Sequence, residues 1–177
     1  MKKLIVIPLA LVLALLLLIG ALAGCGGDAE LPEPGTMVAF ETTDLDGNPV
    51  SSEALFAESK VTVINLWATW CPPCKNELPE LAAMAEEFEA QGCRLVGVCY
   101  DATDPETVAE AQSLLAEVGA DYLNLVAPEN VDSILSTPGV PTTFFVDKDG
   151  KMLVEPVLGA YPDDYRESLA QALELVG

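Results

Sequence analysis

Val61 to Leu81 reads V-T-V-I-N-L-W-A-T-W-C-P-P-C-K-N-E-L-P-E-L. The β-branched and apolar run Val61 to Trp67 predicts a strand buried on both faces, as in a sheet with helices on either side. Cys71-Pro72-Pro73-Cys74 follows at once, and helical periodicity begins behind it. Two cysteines therefore stand where a strand ends and a helix starts. The first turn of a helix leaves N–H groups unpaired and carries partial positive charge, which stabilises an anion such as a thiolate. An exposed Cys71 so placed is a reactive thiol, and Cys74, one turn further in, is close enough to close a ring. Cys71 is expected to attack and Cys74 to resolve.

Three chemistries use a CxxC: half of a zinc site, a structural disulfide and a redox-active dithiol. A structural zinc site takes four ligands, usually from a second CxxC or paired histidines. The chain has no histidine, and its other cysteines are Cys25, Cys93 and Cys99. The redox dithiol is the reading that spacing and position favour, with no metal expected. The lack of histidine also excludes a Cys-His nucleophile pair and imidazole ligation of heme. A peroxiredoxin would need its cysteine in a P-x-x-x-T-x-x-C context, absent near Trp67 to Cys74.

The stretch W-A-T-W-C-P-P-C-K-N-E-L-P, with the later G-V-P-T-T-F-F-V-D-K-D-G-K from Gly139 to Lys151, resembles the thioredoxin superfamily and, within it, the membrane-tethered TlpA/ResA branch of thiol-disulfide oxidoreductases. The resemblance covers nearly all of the chain beyond residue 36. It implies an α/β protein, a thioredoxin-like three-layer α/β/α sandwich with an N-terminal β-hairpin and a central βαβ insertion. It also implies a cis Pro141 facing the CxxC, with Trp70, Pro72, Pro73, Val140 and Pro141 forming the substrate site. Minimal thioredoxins carry a buried Asp in the redox strand as proton acceptor for the resolving thiol; the matching residue here is Asn65, which does not ionise. ResA-type proteins place a glutamate three residues after the second cysteine, and that residue is Glu77. Its plainer alternative is a solvated acid of the first helical turn.

The chain opens with Met1-Lys2-Lys3, an apolar run from Leu4 to Ile19, and Leu22-Ala23-Gly24-Cys25. A basic start, a short apolar run and small residues before a cysteine make an export signal rather than a spanning helix. The last four residues resemble a bacterial lipobox, which implies cleavage of residues 1–24 and lipidation of Cys25. An uncleaved anchor helix is the alternative, and both put the domain outside the cytoplasm. Residues 25–36, rich in Gly, Pro and acids, read as a flexible lipid-anchored tether, and 37–177 as the thioredoxin-like domain. With 28 acids against 8 bases the net charge is −20, and −22 without Lys2 and Lys3. Such a chain is not expected to bind nucleic acid; it is expected to be a monomer held off the anionic membrane surface.

The remaining elements follow from local signals. Asp46-Gly47 within Phe40 to Val50 predicts a hairpin, and Ser51 to Ala57 a helical turn. The redox helix should run to about Ala90 with Pro79 kinking it, and Arg94 to Cys99 should be a parallel strand. Asp104 with Pro105 starts a helix to Val118. Leu123 to Val126, Thr142 to Val146 and Lys151 to Val157 are expected strands, Val131 to Leu135 a short helix and Tyr161 to Val176 the closing helix. Cys93 and Cys99, about 20 Å apart along an extended strand, cannot pair. Cys93 reads as an inert apolar residue; Cys99, at the same sheet edge as the CxxC, is a candidate auxiliary thiol.

The prolines between the cysteines supply no N–H and no cation, and Glu77 adds negative charge, so the disulfide is favoured and the dithiol is expected to be a reductant. No cofactor beyond the Cys71–Cys74 couple is expected. The resemblance implies exported protein disulfides as substrates, such as the CxxCH site of an apocytochrome c, and a CcdA/DsbD-type membrane electron donor. The alternatives are a disulfide-forming oxidase, an electron donor to an extracellular methionine sulfoxide reductase, and a non-catalytic binding lipoprotein with a structural disulfide.

Overall fold

The computed structural model describes residues 29–177. The expected signal peptide, with Cys25 and the start of the tether, lies outside the described residues. β3 (Val61–Trp67) is buried along its whole length and sits at the centre of a five-stranded sheet. Its neighbours are β4 (Arg94–Cys99), parallel to it, and β6 (Thr142–Asp147), antiparallel. β5 (Asn124–Val126) extends the sheet beyond β4, and β7 (Val157–Leu158) extends it beyond β6, giving the order β5-β4-β3-β6-β7. A separate antiparallel hairpin pairs β1 (Glu41–Thr43) with β2 (Pro49–Ser51).

Three long helices, α2 (Pro72–Glu89), α3 (Pro105–Val118) and α5 (Pro162–Val176), cover one face of the sheet, where Val61, Val63 and Trp67 meet Leu78, Leu81, Ala111, Tyr165 and Leu169. The other face, with Ile64 and Leu66, is covered by Val38 and Phe40, by Leu55 and Phe56 of α1 (Ser52–Ala57) and by Val131 of α4 (Val131–Ile134). Side chains alternate across a strand, so Asn65 shares the α2/α5 side with Val63 and Trp67. The successive parallel steps β3-α2-β4-α3-β5 move in one direction across the sheet, which puts both crossover helices on one side. This is the thioredoxin-like α/β fold with its N-terminal hairpin.

Expected boundaries hold to within a residue or so for β3, β4, α3, β5, α4 and β6. Asp104 caps α3 by accepting from the N–H groups of Glu106 and Thr107, and α2 is continuous through Pro79. Two expectations are corrected. Lys151 to Val157 is not one strand: Met152 bridges Val146, after which the chain leaves the sheet and rejoins it at β7. Pro156 has no N–H to give a ladder. On the side away from β6, the Met152 N–H donates to the Thr36 carbonyl. That same bond, with Gly35 N–H to the Met152 carbonyl at 2.8 Å, shows that the last residues of the expected tether are docked on the domain. The chain therefore joins the domain near the Asp147–Lys151 turn, beside the start of β3, at the sheet end opposite the CxxC.

Candidate active site

The first link between sequence and chemistry is the N-terminus of α2. Cys71 is its N-cap in extended conformation, and Pro72 and Pro73 fill the first helical positions, where a missing N–H costs nothing. The sulfurs of Cys71 and Cys74 are bonded, 2.06 Å apart, with Cα atoms separated by 5.3 Å. Cys74 N–H points at Cys71 Sγ from 3.2 Å. Among the described residues it is the one backbone donor on that sulfur, in keeping with the two prolines that follow Cys71.

Cys71 is not exposed, which corrects the expectation: only 2% of its surface is accessible, and Cys74 is fully buried. Around this covered disulfide Pro72 and Pro73 are exposed and Trp70 is 62% exposed. The Val140–Pro141 peptide is cis. The Val140 carbonyl oxygen lies 3.5 Å from Cys71 Sγ, a contact in the disulfide and an acceptor for the S–H of a reduced Cys71. All eight predicted residues beyond Cys25 thus sit on or just beneath one edge of the sheet, where β3 ends and β6 begins.

Glu77 is not the solvated acid of the plainer reading. It is 4% exposed, on the buried side of α2 one turn beyond Cys74. Its Oε1 accepts from Asn65 Nδ2 at 3.0 Å and its Oε2 faces Tyr165 Oη at 2.8 Å. Burial raises its pKa to about 7, against the opposing effect of those two hydrogen bonds; the charge of Glu80 adds to the rise. Asn65 Nδ2 also donates to Thr143 Oγ1 across the β3–β6 pair, while its Oδ1 has no partner among the described residues. The strand position that resembles an aspartate site in minimal thioredoxins here holds an amide, and it orients the titratable group supplied by the helix.

Sequence reasoning missed two supporting residues. Asp101 grips the loop before the CxxC: its Oδ1 accepts from Thr69 N–H at 3.0 Å and its Oδ2 from Thr69 Oγ1 at 2.6 Å. Burial pushes the Asp101 pKa up, but the Thr69 bonds outweigh it and hold the carboxyl below its usual range. Its place two residues beyond β4, on the edge that carries the CxxC, was the available signal. Tyr165 of α5 is fully buried, and its hydroxyl reaches Glu77. Cys93 and Cys99 are both buried and unpaired. Burial and then the Asp101 charge push the Cys99 thiol far up, so it stays protonated and is no ready nucleophile.

Residues 35–154 match the AhpC/TSA family. The chain is 31% identical over 123 residues to a thiol-disulfide oxidoreductase ResA of Bacillus thuringiensis, covering 68% of this chain and 66% of that protein, just under two thirds of its length. It is 31% identical over 138 residues to the thiol:disulfide interchange protein HelX of Rhodobacter capsulatus, covering 74% and 73%. Among solved structures it is similar to a secreted Mycobacterium tuberculosis disulfide oxidoreductase homologous to E. coli DsbE, with 25% identity, a TM-score of 0.58 and coverage of 74% and 94%. With a CxxC disulfide at the start of a helix, the chain belongs to the AhpC/TSA family of thioredoxin-like proteins.

Proposed function

We propose that this protein is an extracytoplasmic, lipid-anchored reductase of disulfides in exported proteins, with apocytochrome c as the leading client. The observation that carries the direction is the poverty of thiolate stabilisation at Cys71: among the described residues, one N–H donor, two prolines and no cation bonded to the pair. A thiolate so weakly stabilised favours the disulfide of the enzyme and makes the dithiol a reductant.

In this reading the Cys71 thiolate attacks one sulfur of the client disulfide, and the client's other sulfur leaves as a thiolate. The client's extended backbone lies along Val140 and Pro141, between Trp70 and the exposed Pro72-Pro73 edge. Glu77, with its pKa near neutral, takes the proton of Cys74. The Cys74 thiolate then attacks Cys71 Sγ and releases the client's second thiolate. Two electrons pass to the client, and Cys71–Cys74 is left as the disulfide. A membrane-embedded dithiol donor of the CcdA/DsbD type returns the electrons.

Residues 1–24 serve as a cleaved lipoprotein signal, Cys25 carries the lipid, and the tether ends by about residue 34, where the chain docks on the domain. No helix of the described residues is long and apolar enough to cross a membrane. The test uses an oxidised CxxCH peptide. The reduced protein is expected to convert it to the dithiol stoichiometrically, whereas stable coexistence of reduced enzyme with oxidised peptide would refute the direction. Cys25→Ala is expected to release the protein from the membrane fraction; unchanged retention would refute the anchor.

A further inference from the structure

The Tyr165 hydroxyl has one proton and two acceptors within reach: Glu77 Oε2 at 2.8 Å and the Gly159 carbonyl oxygen at 2.7 Å. It also accepts from Tyr161 N–H at 3.3 Å. Gly159 N–H in turn donates to the Pro141 carbonyl at 2.8 Å. A bonded path therefore runs from Glu77 through Tyr165 and Gly159 to the cis-proline.

With Glu77 protonated, every member is satisfied: Glu77 O–H donates to Tyr165 Oη, Tyr165 O–H donates to the Gly159 carbonyl, and Asn65 serves Oε1. With Glu77 ionised, Tyr165 must turn its proton to the carboxylate, because a charge-assisted bond is the stronger one. The Gly159 carbonyl then faces a lone pair at bonding distance and loses its donor.

We propose that Tyr165 is a positioning residue whose single proton couples the charge of Glu77 to the Gly159–Tyr161 turn that holds the cis-proline, so that the proton acceptor of the reaction and the client-binding loop sense each other. This rests on the reading of Glu77 as the proton acceptor, and it is reciprocal: whatever holds the turn in its Gly159-bonded form favours the protonated acid. Leu158 and Tyr161, both exposed, flank the turn beside the site.

The groups facing Glu77 are Asn65 from β3, Tyr165 from α5, Glu80 on its own helix and, through charge alone, Tyr122 from the segment before β5. Cys74 is locked in the disulfide and does not titrate in the oxidised protein, while burial raises the Glu77 pKa to about 7.

The experiment follows the oxidised full chain in detergent by NMR, recording the Glu77 carboxyl carbon and the Ala160 amide nitrogen, which reports bonding at the Gly159 carbonyl. In the wild type both are expected to titrate together with a midpoint of about 7. Glu77→Gln is expected to flatten the Ala160 curve. Tyr165→Phe removes a donor from the carboxylate, so the Glu77 midpoint should rise by about one pH unit or more while Ala160 no longer follows it. Ala160 titrating with Glu77 in Tyr165→Phe, or not titrating in the wild type, overturns the coupling. Because no electron transfer is measured, that result stands apart from failure of the peptide-reduction assay, which would refute the reductase reading alone.

Discussion

Two pairs of cysteines share one core and have opposite fates. Cys71 and Cys74 are three residues apart across a helix start, and their Cα atoms are 5.3 Å apart in a closed disulfide. Cys93 and Cys99 stand before and at the end of β4, and both are free. Burial does not separate them, since all four are 3% exposed or less. The separating factors are the element and the neighbours. A helical turn brings residues i and i+3 together, whereas a strand holds its ends apart. Cys71 receives a backbone N–H from the helix, while Cys99 Sγ lies 3.4 Å from the Asp101 carboxylate, which opposes its ionisation.

The largest break in this comparison is Cys71→Ser, which should abolish exchange with any disulfide substrate. Cys74→Ser should instead trap a mixed disulfide through Cys71, visible on a non-reducing gel. Exchange surviving in Cys71→Ser would mean that another thiol attacks.

Next comes Glu77→Gln, read through pH. The folded pKa of about 7 lies above the ordinary 4.5, so the native state holds its proton where the unfolded chain has lost it. This contribution is fully present below pH 4.5 and is lost as pH rises through about 7. At 1.36 kcal/mol per unit it amounts to about 3 kcal/mol. Urea unfolding at pH 4.5 and pH 8 should show the wild type losing about that much more stability than Glu77→Gln over the interval. Parallel curves would place Glu77 in solvent.

Asp101→Asn tests the grip on the loop. It weakens two bonds to Thr69 in a part-buried site and should cost about 1–3 kcal/mol in urea unfolding. The smallest effect belongs to the free pair: Cys99→Ala removes one buried sulfur, should cost about 1 kcal/mol, and should leave the exchange rate unchanged. A large loss of rate in Cys99→Ala would give that thiol a role that its burial and its carboxylate neighbour argue against.

The same contrast explains what was legible in the sequence. β3 and β4 were readable because a strand covered on both faces is an unbroken apolar run, and α3 because Asp104 and Pro105 mark its start. The CxxC carried its own spacing. Other features depended on contacts between distant segments and left no local mark. Beyond Leu153 the chain leaves β6, with Pro156 unable to give a ladder N–H, while on the side away from β6 Met152 bonds the strap at Gly35 and Thr36. The cover over Cys71 comes with the Val140 carbonyl from a loop 69 residues away. The Tyr165 ring packs in the core as any buried aromatic would, and the contact of its hydroxyl with Glu77, 88 residues away in the chain, leaves no local pattern. Gly97 is similar. A Cβ there would sit 1.9 Å from Asn124 Oδ1, the acceptor for Trp67 Nε1, a demand for glycine set by two other strands.

The central claim is that Cys71–Cys74 is a two-electron couple poised to reduce. Its reduction potential tests this directly, by equilibrating the protein in dithiothreitol buffers and following Trp67 and Trp70 fluorescence. The account predicts a value near that of thioredoxin, about −270 mV. A value near that of DsbA, about −120 mV, would make the protein a disulfide-forming oxidase and contradict the account.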